Sequence, residues 1–277
     1  MKPLLVVDGD SFAHRAYHGI PKTIRRRDGG PGNALFGFSN MLLRLWQDER
    51  PRTVLAAWDT LDTPTYRHEA LDAYQSGREF DQELLEQLDM LPALVASTGF
   101  AYAKAPGYEA DDFLGASVAE EEARGGTTLV ATSDRDAFQL ATRRTTILQP
   151  VRGEAPARID PDEVRERYGV DPEQVPDFIA LRGDPSDRIP GARGIGPKKA
   201  AELLTQYGSL DAMLADGRFA AEADALRLFR EIATLDRTAP LPPLPDVTPD
   251  WVSAAAHARE IGMDGLARRF EEAASWR

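Results

Sequence analysis

Nine carboxylates, set in five short clusters far apart along the chain, constrain this sequence more than any other feature. They are Asp8 in LLVVDGD, Asp59 in LAAWD, Glu109, Asp111 and Asp112 in GYEADD, Asp134 and Asp136 in ATSDRD, and Asp184 and Asp187 in RGDPSDRIPG. Four clusters fall at the end of an apolar, β-prone run or just inside a following helical pattern. Open α/β folds place their sites there, outside the carboxyl ends of parallel strands, so the clusters have one place to converge. Nine bare anions cannot share a pocket, because like charges at close range suppress ionisation. Divalent cations resolve that conflict, and an all-oxygen donor set suits hard Mg²⁺ or Mn²⁺. Any single Asp or Glu is more simply a solvated surface residue. Solvation alone does not explain five clusters that are each fixed to a strand end or a loop.

Residues 4–7, 54–58, 101–103, 128–132 and 146–148 read as short buried strands. Helical patterns lie between them at 33–46, 80–98 and 110–123, the last stopped by Gly125 and Gly126. This alternation predicts an α/β fold, with a mostly parallel central sheet flanked by helices on both faces. VDGDSF after the first strand lacks the glycine spacing of a dinucleotide site. From residue 160 the strand signal stops, and 161–168, 172–181, 197–207, 209–214, 221–235 and 252–276 read as helices, several opened by Pro. The sequence therefore divides into an α/β unit, 1–159, and an all-helical unit, 160–277. A Pro-rich, extended connector runs through 239–251.

In GYEADD the acids at 109 and 112 are three apart and share a face at a helix start, leaving Asp111 aside. In SDRD, Asp134 and Asp136 alternate with Arg135, so an extended turn puts both carboxylates on one side. Ions about 3.5–4 Å apart, held by such groups, suit in-line displacement at phosphorus and need no protein nucleophile. The chain has no Cys, which excludes disulfides, thiolate metal sites and a Cys nucleophile, and its four His disfavour a His-rich zinc site. There is no 18-residue apolar run and the start is soon acidic, so neither a membrane span nor a secretory leader is expected. A cytoplasmic setting follows as the expectation.

The net charge of −12 opposes nucleic acid at first sight. The nine clustered acids supply most of that excess, however, and the basic residues are patched. Arg25, Arg26 and Arg27 form one patch; Arg193, Lys198 and Lys199 form another. In GARGIGPKKAAELL, Gly191, Gly194 and Gly196 permit close backbone approach, and a helix N-terminus follows, an arrangement suited to phosphate. Two lysines in the first helical turn oppose the helix dipole unless an anion sits there.

VDGDSFAHRAYH, FGFSNMLLRL, AAWDTLDTPTYRHE, GYEADDFLG, TSDRDAFQL and LRGDPSDRIPGARGIGPKKAAELL resemble, in that order, the 5′-nuclease (flap endonuclease) family of the type attached to bacterial DNA polymerase I. The resemblance runs from about Leu4 to Trp276. It implies a PIN-like α/β nuclease unit with an arch at about 60–92, and a helix-three-turn-helix element at about 183–210 that grips duplex backbone. It implies one ion among Asp8, Asp59, Glu109, Asp111 and Asp112, and a second among Asp134, Asp136, Asp184 and Asp187. Asp184 and Asp187 also read as turn caps. A K⁺ ion on the Gly-rich turn is a further implication.

The implied activity is divalent-metal-dependent 5′-3′ exonuclease and flap endonuclease action on 5′ flaps, nicks, 5′ ends or RNA primers, by a monomer. Arg67 and Arg78 are the candidate cations for the scissile phosphate. The family has a Lys and an Arg at the spacing held here by Gln75 and Arg78, so one arch cation is replaced. A catalytically weakened DNA-junction binder therefore stays open as an alternative. A shorter RNA-processing or toxin-type nuclease is disfavoured by the GIGPKKAAELL element. Whether the chain stands alone or adjoins a polymerase is open.

Overall fold

The computed structural model describes all residues except Met1, Asp62, Gly77, Arg78, Glu79 and Arg277. Strands β1 (Leu4–Asp8), β2 (Thr53–Ala57), β3 (Ala101–Ala103), β4 (Thr128–Ala131), β5 (Thr145–Gln149) and β6 (Ala157–Ile159) form one sheet in the order β3-β2-β1-β4-β5-β6. The first five are parallel, and β6 pairs antiparallel with β5. The fold is thus a mostly parallel sheet flanked by helices. Leu4 and Val6 of β1 point into one core, Leu5 and Val7 into the other. Burial on both faces is why this strand is continuously apolar instead of alternating.

The helices in chain order are α1 (Gly9–Gly19), α2 (Asn33–Glu49), α3 (Tyr66–Ala70), α4 (Gln82–Ser97), α5 (Ala110–Ala123) and α6 (Pro161–Tyr168). They continue with α7 (Val175–Arg182), α8 (Pro197–Tyr207), α9 (Leu210–Ala215), α10 (Ala223–Ala233), α11 (Trp251–Glu260) and α12 (Asp264–Ala274). Local chemistry sets their ends. Asp160 accepts from the N–H groups of Asp162 and Glu163, Pro161 opens the first turn of α6, and Gly169 at φ 71° stops it. α5 and α6–α10 share the core on one face of the sheet. α1, α2, α4, α11 and α12 share the core on the other.

Three readings of the sequence are corrected here. The 172–181 pattern is a 3₁₀ turn (Pro172–Gln174) followed by α7, and the 252–276 pattern breaks into α11 and α12 at Gly262, φ 77°. A Cβ at Gly262 would lie 2.9 Å from Arg27 N, so the break is also a close backbone approach. The unit drawn at 160–277 does not hold together in space, because α11 and α12 return to the far face against α2 and α4. The connector carrying them, residues 239–250, forms neither helix nor strand. It passes the amino end of the sheet, where Val247 N–H donates to Arg52 O and Asp250 N–H to Thr98 O, both at 2.8 Å. Arg52 holds it further by donating to Leu244 O at 2.6 Å while paired with buried Glu121.

Candidate metal centre and nucleic-acid interface

The carboxyl ends of β1, β2 and β4 open into a cavity of about 1280 Å³. Eight of the nine expected carboxylates line it, drawn from all five clusters; Asp112 does not. Asp8 ends β1 and caps α1, accepting from Ser11 N–H at 2.9 Å and from the Thr132 hydroxyl at 2.6 Å. Asp59 follows β2 and accepts from Ala110 N–H at 2.7 Å, tying that strand end to the first turn of α5. Glu109 caps α5 and accepts from the Thr65 hydroxyl at 2.9 Å and the Tyr74 hydroxyl at 3.0 Å. Asp134 accepts from Asp136 N–H at 2.9 Å. Asp184 accepts from Ser186 N–H at 2.8 Å and from Arg182 Nη2 at 3.1 Å. Its turn-capping role is therefore visible alongside its place on the cavity wall. Asp187 accepts from Gln75 Nε2 at 3.1 Å.

Packing these acids together leaves an electrostatic debt. Burial pushes the Asp8 carboxyl up to about 7, with Asp59 and Asp134 adding to the effect against the hydrogen bonds from Thr132 and Ser11. Burial likewise raises Glu109 to about 7, although Arg67 pulls it down. Asp111 and Asp136 are pushed well above the usual carboxylate range, first by burial and then by Asp134. Asp111 Oδ1 is buried with no hydrogen-bond partner. An all-oxygen donor set with an unpartnered buried oxygen and suppressed ionisation fits a hard divalent cation. Among the described residues no three acids already close on one point.

Two expected site residues face elsewhere. Asp112 is fully buried and takes both Nη atoms of Arg67, at 2.9 and 2.7 Å. It also accepts from Glu109 N–H and Asp236 N–H, each at 3.1 Å. Helix-end geometry explains the reversal. The third helical residue folds back onto the cap, as in a capping box, while Asp111, one position earlier, projects into the cavity. Arg67, at 1% exposure, also donates to Ile232 O at 3.0 Å, so it joins α3 to α5 and α10 and does not reach the cavity. Arg67 is not among the residues that line the cavity. Arg78 lies outside the described residues.

The basic patches separate in the same way. Arg25 pairs with Glu83 at 3.1 Å, Arg26 with Glu86 and with Asp28 at 3.3 Å, and Arg27 with Asp264 at 2.6 Å. The three-Arg segment is thus matched by acids of α4 and α12, and none of the three lines the carboxylate cavity. Lys198 does line it, at the start of α8. Lys199 is exposed and 3.6 Å from Glu202, and Arg193 is exposed. Gly191 serves the protein itself: at φ 76°, a Cβ there would lie 2.4 Å from Gly183 N. Gly194, at φ 75°, and Gly196 have open space at the Cβ position, which leaves their backbone approachable.

The cavity also holds residues that sequence reasoning passed over. Asp10 lines it, and its Oδ2 accepts from Asp59 N–H at 2.7 Å. Its position two residues after Asp8, in VDGDSF, was the available signal. Gln75, read only as a lost cation, reaches Asp187 from a left-handed backbone at φ 47°. Arg182 stands over the Phe178 ring at 5.3 Å and pairs with Asp184.

Residues 3–169 match the model of the 5′-3′ exonuclease N-terminal resolvase-like domain, and residues 170–250 that of the 5′-3′ exonuclease C-terminal SAM fold. The chain is 37% identical over 255 residues to DNA polymerase I of Mycobacterium bovis, covering 88% of this chain and 28% of that protein. It is 38% identical over 212 residues to the thermostable DNA polymerase I of Thermus thermophilus, covering 76% of this chain and 25% of that one. The chain thus spans about a quarter of the length of these relatives. Its fold is similar to that of the T5 D15 protein co-crystallised with metal ions, with a TM-score of 0.71 at 18% identity, covering 99% of this chain and 100% of that one. The catalytic core of Rad2 in complex with DNA substrate follows at 0.62 and 15%, covering 98% and 91%. With both family models matched end to end over most of its length, the chain belongs to the 5′-3′ exonuclease family.

Proposed function

We propose that this chain is a structure-specific, divalent-metal-dependent 5′-nuclease that hydrolyses phosphodiester bonds of DNA flaps, nicked ends or RNA primers. One observation carries the reading: acids from five separate segments line a single cavity, with Lys198 among them. Mg²⁺ or Mn²⁺ held by these carboxylates would supply Lewis-acid activation of water and of the departing oxygen. We assign one ion to Asp8, Asp59, Glu109 and Asp111, and a second to Asp134, Asp136, Asp184 and Asp187. Asp112 supports the first group through Arg67 and the Glu109 N–H. The residues themselves orient and hold. Asp59 fixes the start of α5, Gln75 steadies Asp187, and Tyr74 and Thr65 orient Glu109.

Duplex backbone lies along the Gly194–Gly196 turn and the start of α8, with Lys198 and Lys199 neutralising phosphate. A K⁺ ion on that turn belongs to the same reading. Residues 1–159 supply most of the carboxylates, Asp184 and Asp187 join them from the loop after α7, and the rest of α6–α10 carries the duplex grip. Among the described residues no helix is long and apolar enough to cross a membrane. Action as a monomer on DNA in the cytoplasm is part of the same proposal.

A second reading, a DNA-junction binder with weakened catalysis, draws on Gln75, which places a neutral amide beside Asp187. Incubation with a labelled 5′-flap duplex, in chelator and in Mn²⁺, separates the two. Cleavage that appears only with Mn²⁺ supports the nuclease; tight binding without cleavage under both conditions supports the binder.

A further inference from the structure

We propose that Asp10 is a further carboxylate of the metal centre, one that sets the position of Asp59 and adds negative charge to the first group of acids. The inference rests on the reading that this cavity takes divalent cations. Asp10 is the second residue of α1, two places after the cap Asp8. An acid in a first turn has a simple account, since it meets the positive end of the helix dipole from solvent. Asp10 does not behave that way. It is turned into the cavity, with Asp59 and Asp8 as its near like charges and Lys104 as a basic neighbour. Dipole stabilisation at a surface is weak. It does not compensate for turning a half-buried carboxylate toward two others.

What Asp10 does touch is informative. Its Oδ2 accepts from the backbone N–H of Asp59 at 2.7 Å, and the Asp59 side chain accepts from Ala110 N–H at the same distance. Asp10 thereby pins the end of β2, and through Asp59 the turn of α5 that bears Glu109 and Asp111. Among the described hydrogen bonds only Oδ2 of Asp10 is engaged, which leaves Oδ1 for an ion or its water. In the same group, Asp111 Oδ1 is buried without a partner, a second and separate sign that a cation completes this wall. Residues that orient metal ligands typically change metal affinity about 10–100-fold when lost.

The test is Mn²⁺ titration of the DNA-free protein, followed by the electron paramagnetic resonance signal of free Mn²⁺, with unfolding measured in chelator alongside. Asp10→Asn keeps an acceptor for the Asp59 N–H and removes only the charge. It is expected to weaken Mn²⁺ binding roughly tenfold while raising the melting temperature of the metal-free protein. Asp10→Ala loses the hydrogen bond as well and is expected to bind more weakly still. Asp111→Asn serves as the reference, with Mn²⁺ binding lost at the first group. If Asp111→Asn loses Mn²⁺ and Asp10→Asn binds it like the parent, the metal reading stands and the role of Asp10 falls. If the parent protein binds no Mn²⁺ at millimolar concentration, the metal reading falls and takes the proposal with it. A melting temperature lowered by Asp10→Asn in chelator would make Asp10 a structural acid and overturn the proposal.

Discussion

Arg67 and Asp112 form a two-pronged ion pair sealed from solvent, with Nη1 to Oδ2 at 2.9 Å and Nη2 to Oδ1 at 2.7 Å. Removing one partner strands the other as an uncompensated buried charge, which typically costs about 3–5 kcal/mol. Arg67→Met and Asp112→Asn are each expected to lower unfolding free energy on that scale in denaturant titrations. Replacing both residues together with apolar side chains should recover part of the loss. A single variant as stable as the parent would refute the structural role.

The raised carboxyls give the metal-free protein an unusual pH profile. Asp8 stands at about 7 in the folded chain against an ordinary 3.8, and Glu109 at about 7 against 4.5. The folded state therefore keeps protons that the unfolded state has released. That contribution is complete below the unfolded values and is lost as pH rises through about 7. In chelator, stability is expected to fall from about pH 4.5 to about pH 7.5, and Mg²⁺ or Mn²⁺ should cancel the fall. Thermal melts across that range, with and without the ion, check it; a flat profile in chelator would count against the crowded-acid account.

Asp111 and Asp134 line the cavity, whereas Asp112 is committed to Arg67. Asp111→Asn and Asp134→Asn are expected to abolish metal-dependent cleavage of a flap duplex while leaving a folded protein by circular dichroism. Asp111→Asn should also lose most of the Mn²⁺-induced rise in melting temperature, and Asp112→Asn should keep it. Near-normal cleavage by either cavity variant at saturating Mg²⁺ would remove these acids from the chemistry.

Lys198→Ala with Lys199→Ala is expected to weaken binding to duplex substrates of any sequence alike, because phosphate contacts carry no base information. The log–log salt slope should flatten by roughly 1–2 units. Lys198→Ala alone should carry most of the effect, since Lys199 has Glu202 within 3.6 Å. Binding assays in calcium across a salt series measure this, and an unaltered slope would leave α8 an ordinary solvated helix.

The sequence was readable where one physical rule decided the outcome alone. A strand buried on both faces must be apolar throughout, so LLVV announced β1, and alternation with helices announced the sheet. Asp, Pro and Gly at the ends of α6 fixed its bounds to the residue. It failed where rules competed. Spacing put residues 109 and 112 of GYEADD on one face, but the capping geometry of a helix start turned Asp112 inward and Asp111 out. It also failed where partners are remote in the chain. Nothing near Arg27 foretells Asp264, 237 residues away, or that three adjacent arginines would each meet a protein acid. The polar stretch GDSF concealed α1, and β6 is three residues long with a charged centre, too short for a period to register.

The return of α11 and α12 to the far face has a mechanical consequence. The chain enters α6 directly from β6, and the stretch after α10 is clamped at Arg52 before α11 docks. The block α6–α10 is therefore fastened at both of its chain ends, in addition to the core it shares with α5 and the sheet. A cut between α10 and α11 would free one of those ends without removing a single residue of the cavity wall.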